Sequence, residues 1–126
     1  MISAKILGSA VAALVMGSAA LAQPSGEIGY EKDALGYEAL VAGDNELALQ
    51  QLQASERDYA KDPARLINLG QTYARLGRMG DAARMFMAAL NSDRSFDLVL
   101  ANGEVIDSRD AAGLALQNLN ERIARR

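Results

Sequence analysis

Cysteine and histidine are both absent from the 126 residues. Without cysteine there is no disulfide and no thiol to carry a lipid, so the core must hold by packing alone. Without histidine the usual ligands of zinc, copper and haem are missing, together with the commonest general base. No serine sits in a Gly-x-Ser-x-Gly elbow, and no glycine-rich stretch ends in Lys-Ser or Lys-Thr. The close acid pairs Glu56/Asp58, Asp58/Asp62 and Asp107/Asp110 fall at helix ends or in loops, where carboxylates cap or are solvated. A nucleophile paired with a base is therefore missing, and the chain is expected to be no enzyme, with neither metal nor cofactor.

Lysine stops at Lys61, and the charge is split along the chain. Residues 23–62 carry nine acids against Lys32, Arg57 and Lys61, a net −6, whereas residues 63–126 carry nine arginines against seven acids, a net +2. A net acidic chain does not attract phosphate backbones, which argues against nucleic acid as a partner. At the start, Lys5 precedes the uncharged run Ile6 to Ala22, which ends Ala20-Leu21-Ala22 before Gln23-Pro24. That is the pattern of a secretory signal peptide, residues 1–22, cut after Ala22. The run is rich in Ala, Gly and Ser and falls short of the roughly 20 strongly apolar residues of a spanning helix, so no stable membrane span is expected after cleavage. The expected address is periplasmic or secreted, and the mature chain, 23–126, is long enough for one small domain.

Residues 29–62 can be laid over 63–96, a shift of 34. Leu35-Gly36 then falls on Leu69-Gly70, Gly43 on Gly77, Ala48 on Ala82, Leu52 on Phe86 and Ser55 on Ala89. Small residues meet small ones, and large apolar residues meet large apolar ones. With Tyr73, this order and period resemble the tetratricopeptide repeat (TPR) family. The second copy carries Leu66 where the family usually has Trp, then Leu69-Gly70, Tyr73, Gly77, Ala82, Phe86 and Ala89 in the family's spacing. The first copy is degenerate, with Lys32 for the Trp, Ala39 for the Tyr, Leu52 for the Phe and Ser55 for the final Ala. The family's late proline is missing from both copies, though Pro63 opens the second. The resemblance implies an all-α fold with two TPR-like helical hairpins, in the manner of short exported TPR proteins of proteobacteria.

Helical periodicity predicts helices near 29–42, 45–59, 63–76, 80–91 and 109–125. Gly70 is expected opposite Ala82, where a side chain would push two helices apart, and Gly77 at a left-handed helix end. Asp44 is expected to cap one helix, and Asp107 or Ser108 the last one. Residues 98–107 read as a β-hairpin about Asn102-Gly103, with Ala101 opposite Glu104, Leu100 opposite Val105 and Val99 opposite Ile106. The last helix, with stripe Ala112, Leu116, Leu119 and Ile123, is read as a cap on the stack. The ribbon either packs on Phe86, Phe96 and that helix or pairs its edge with another chain.

In a TPR-type stack the first helix of each hairpin lines a concave groove. On a 29–42 helix Tyr30, Asp33, Tyr37 and Val41 share one face, and Ile67, Gln71 and Arg75 are their shifted equivalents. Tyrosine joins apolar area to a hydrogen-bonding tip, which suits a contact patch, although Tyr37 can equally pack on the next helix. Asn68 alone, without cationic companions, does not make the family's grip on a peptide carboxylate. The expected function is a non-catalytic adaptor of the bacterial cell envelope that holds a segment of a partner protein or peptide. The alternative is a structural subunit that self-associates through the 98–107 hairpin or through acidic and basic ends, as a homo-oligomer.

Overall fold

Three aspartates precede helices and turn their carboxylates back onto them. Asp44 Oδ1 accepts from Leu47 N at 3.1 Å, Asp62 Oδ1 from Arg65 N at 3.0 Å, and Asp107 Oδ1 from Arg109 N at 2.8 Å. Each satisfies an otherwise orphaned amide of a first turn, worth about 1 kcal/mol. The computed structural model describes residues 10–14, 20–23, 30–99 and 105–125. In chain order these form β1 (Ala10–Leu14), β2 (Ala20–Gln23), α1 (Tyr37–Val41), α2 (Asn45–Ala54), α3 (Glu56–Tyr59), α4 (Pro63–Arg75), α5 (Met79–Leu90), β3 (Asp97–Val99), β4 (Val105–Asp107) and α6 (Ser108–Ala124). The protein is thus mainly helical with a small sheet.

The helix α4 is the axis of the fold. It packs against α2, α5 and α6, and every residue from Pro63 to Ala74 is buried. One apolar cluster joins Leu40, Leu52, Leu69, Tyr73, Phe86 and Leu119, and a second joins Leu35, Leu66, Ile67, Ala89, Leu98 and Ala111. Full burial of a side chain such as Phe86 or Leu52 is worth roughly 1.5–3 kcal/mol. Two buried polar groups serve the backbone. Arg65 Nε and Nη2 donate to the Leu52 carbonyl at 2.9 and 2.6 Å, satisfying a carbonyl near the end of α2, and Asn68 Nδ2 donates to Leu35 O at 2.8 Å.

The sheet has the order β2-β1-β3-β4. The strands β3 and β4 run antiparallel with Leu98 opposite Ile106 and Val99 opposite Val105, and β1 runs parallel to β3 with Ala10 opposite Leu98 and Val11 opposite Val99. The antiparallel partner of β1 is β2, with Val11 opposite Gln23 and Leu14 opposite Ala20. β2 also lies against α1 and α4.

Several sequence expectations need correction. The helix expected over 29–42 begins only at Tyr37, because Asp33 (φ 65°) and Gly36 (φ 60°) both take left-handed conformations and residues 32–35 form a turn. The helix expected over 45–59 is interrupted at Ser55, whose hydroxyl donates to Ala34 O at 2.6 Å and to Leu52 O at 3.1 Å. The ribbon register is one residue off: Val99 meets Val105, not Ile106. A one-residue slip exchanges the faces of a strand. The observed register puts Leu98, which is fully buried, beside half-buried Ile106, and it leaves Asp107 to cap α6. Leu100, Ala101 and the Asn102-Gly103 turn lie outside the described residues. On α6 the buried stripe is Ser108, Ala111, Ala112, Ala115 and Leu119, and Ile123 is exposed. Of the other expected boundaries, 63–76 differs from α4 by one residue at its end, and 80–91 and 109–125 differ from α5 and α6 by one residue at each end. The ribbon packs within its own chain: Leu98, Phe96 and Ile106 join the second cluster, while Phe86 belongs to the first.

The side chain nearest Gly70 is Phe86. A Cβ on Gly70 would lie 2.4 Å from Phe86 Cε1 and 2.6 Å from Cδ1, so the ring occupies the space a side chain would need. Gly43 and Gly77, thirty-four residues apart, end α1 and α4 at φ 81° and 82°, as expected of a left-handed helix end.

Candidate interaction surface

The seven residues expected to line one groove are divided among four environments. Tyr30 lies before the first turn, half-buried, with its hydroxyl donating to Asp62 Oδ2 at 2.5 Å and its ring tilted against Tyr59 at 5.4 Å between centroids. Asp33 sits in the left-handed turn beside exposed Lys32, with Nζ to Oδ2 at 3.4 Å. Tyr37 opens α1 and packs on the first apolar cluster, while Val41 at the other end of α1 is 60% exposed. Because the chain turns between them, Tyr30 and Asp33 do not share a helix face with Tyr37 and Val41.

On α4 the correction is larger. Ile67 is fully buried and Gln71 is 5% exposed, so neither lines an open groove in the chain as it stands. Ile67 packs with Leu35, Leu98, Ala111 and Ala112, and Gln71 borders a small gap shared with Asn118 and Arg122 of α6. Arg75 is a strut: its Nη1 donates to Leu40 O at 2.8 Å and to Asn45 Oδ1 at 3.3 Å, tying α4 to the end of α1. Desolvation lowers the pKa of both Arg65 and Arg75, in keeping with two guanidinium groups held against backbone carbonyls.

The open space lies elsewhere. A crevice of about 760 Å³ is lined by Tyr30, Asp58, Tyr59, Asp62, Arg94 and Phe96, with Asp93, Ser95 and Arg109 completing its rim. One wall is the segment between α5 and β3. Arg109 holds that wall from α6, its Nε and Nη2 donating to Ser92 O at 3.2 and 2.6 Å and its Nη1 to Ser95 Oγ at 3.2 Å. Ser108 completes the clamp, its N donating to Phe96 O at 2.9 Å and its Oγ accepting from Phe96 N at 3.2 Å. No sequence spacing pointed to this crevice, because four separate segments build it. The polar run Asn91-Ser92-Asp93-Arg94-Ser95, which fits neither the helical stripe before it nor the ribbon after it, was the signal available.

Burial, and next the charge of Asp62, push the Tyr30 phenol well above the usual tyrosine range, so it stays protonated and donates. Asp62 is occupied by Tyr30 and by the amide of Arg65. Of the acid pairs noted in the sequence, Asp58 and Asp62 share this crevice, and Asp107 is taken up as the cap of α6. Among the described residues no group of three or more acids is arranged to hold a metal ion, and no helix is long and apolar enough to cross a membrane. No family model, curated protein or solved structure matches the chain.

Proposed function

We propose that this protein is a non-catalytic interaction adaptor of the bacterial cell envelope, exported by residues 1–22, cut after Ala22 and built on two TPR-like hairpins. In this reading α1 and α4 are the first helices of the two hairpins, and the face they share receives a segment of a partner protein. One observation carries it: an extended stretch, Ala20–Gln23, lies against both α1 and α4. A face that accepts one extended segment has the width and chemistry to accept another. The equal placement of Gly43 and Gly77 after α1 and α4 supports the same reading.

Photo-crosslinkers placed at Tyr37 and at Gln71, with a control at exposed Met87 on α5, test it in the periplasm. Capture of one discrete protein from Tyr37 and Gln71 is the expected result. Capture from Met87 alone removes the groove.

Self-association is a second reading, favoured by the outer position of β4 among the described strands, where Val105 is 60% exposed. Light scattering at rising salt checks it: an oligomer supports it, and a monomer at all concentrations removes it.

A further inference from the structure

A two-stranded ribbon with three residues in each strand cannot hold itself in water, yet β3 and β4 pair in register and bury Leu98 completely. Part of the missing stabilisation comes from packing on α4 and α6, and a third strand adds to it. β1 lies parallel along the other edge of β3, and β2 extends the sheet until it rests on α1 and α4. Both strands come from the segment read as a cleavable export signal. Its removal would uncover the β3 edge and the α4 surface in one step.

That surface has a defined chemistry. Along its whole length α4 carries no charge but Arg65 and Arg75, and both are committed to the carbonyls of Leu52 and Leu40. Residues 10–23 are themselves uncharged from end to end. Uncharged strand and uncharged face match, and burying either against a charged partner would carry a desolvation cost.

We propose that the β3 edge together with the α4 face is a receptor for an uncharged, small-apolar extended strand entering parallel to β3. The chain's own β1 and β2 fill it in the precursor, and a strand of the same chemistry from another protein fills it after cleavage. This rests on the adaptor reading and names the occupant. Main-chain hydrogen bonds to the open edge supply the recognition, and the α4 face selects against charge.

Hydrogen exchange on the full chain tests the proposal. Amides along a strand point alternately to its two sides, so one of Leu98 and Val99 points away from β4. That amide is expected to be protected in the wild type. It should exchange at least tenfold faster in a Val11→Pro/Ala13→Pro chain, whose β1 has lost ladder donors. The amides of α4 serve as the control that the helical core is intact. A synthetic peptide of residues 10–23, given a lysine tail for solubility, should restore the protection when added to the proline variant, and the same peptide bearing both prolines should not. Equal exchange in wild type and variant, or a wild-type peptide that restores nothing, overturns the proposal. The mass of the exported protein decides the cleavage separately: a chain still beginning at Met1 overturns the handover to a second protein. Crosslinks from Met87 alone, alongside successful restoration by the peptide, would sink the adaptor reading and leave the receptor standing.

Discussion

The two halves of the helical region, 29–62 and 63–96, keep the same small residues in the same register and still fold differently at their starts. In the second half, Asp62 caps the helix, Pro63 occupies its first position, and Leu66, Ile67 and Leu69 give it an apolar body, so α4 runs thirteen residues without interruption. In the first half the equivalent positions are Ile28, Gly29, Lys32, Asp33 and Leu35. Ile28 cannot cap, and of the three body positions only Leu35 is large and apolar, so residues 32–35 turn and α1 keeps five residues. Matching glycines preserve the close approach between neighbours, but they do not make a helix. A start signal and a face worth burying are also required.

Substitutions at corresponding positions can sharpen or break this contrast. The largest effect is expected at Gly70, where even a methyl would enter the Phe86 ring: Gly70→Leu should cost about 3 kcal/mol or more. Gly36→Ala, with Leu52 Cγ at 3.1 Å and a left-handed backbone, should cost about 1–2 kcal/mol. Urea denaturation followed by circular dichroism ranks the two, and equal costs would erase the distinction between the halves.

Next comes Arg65, whose removal takes two of the three side-chain donors from the buried Leu52 carbonyl and leaves only the Ser55 hydroxyl; Arg65→Leu should lose about 2 kcal/mol. Arg75→Leu, a partly exposed strut to α1, should lose about 1 kcal/mol by the same measurement. The two caps are expected to differ in the same sense. Asp44→Ala should cost about 1 kcal/mol, and Asp62→Ala about 2 kcal/mol because it also deprives the Tyr30 hydroxyl of its acceptor.

The smallest effect is a pH dependence. Folding raises the Tyr30 pKa, so the protonated phenol is favoured in the native chain. Its contribution is fully present below about pH 10, the unfolded value, and is lost progressively as pH climbs from there toward the higher native value. Thermal melts between pH 9 and 11 should therefore fall more steeply for the wild type than for Tyr30→Phe. Parallel alkaline limbs would show that the Tyr30–Asp62 contact contributes nothing specific.

Much of the helical layout was legible in residue order. Asp44, Asp62-Pro63 and Asp107 mark helix starts by chemistry that acts within three residues, and α4, α5 and α6 fall within a residue or so of their expected bounds. The interaction residues were less legible because their grouping assumed a helix from residue 29. Periodicity places Tyr30, Asp33, Tyr37 and Val41 on one face only if the backbone stays helical between them, and Asp33 and Gly36 break it. Ile67 and Gln71 sit on the expected side of α4 by spacing, but spacing does not reveal what covers them.

By itself, the order of amino acids determined where helices begin and end in the second half, which glycines reverse the chain, and that no histidine or cysteine chemistry is possible. Those properties depend on side-chain type and on neighbours a few residues away. Only the tertiary structure decided that the Phe86 ring fills the space above Gly70, that Leu98 sets the ribbon register, and that an N-terminal strand lies along β3. Each of these depends on surfaces brought together from distant parts of the chain, where shape and burial outweigh local preference.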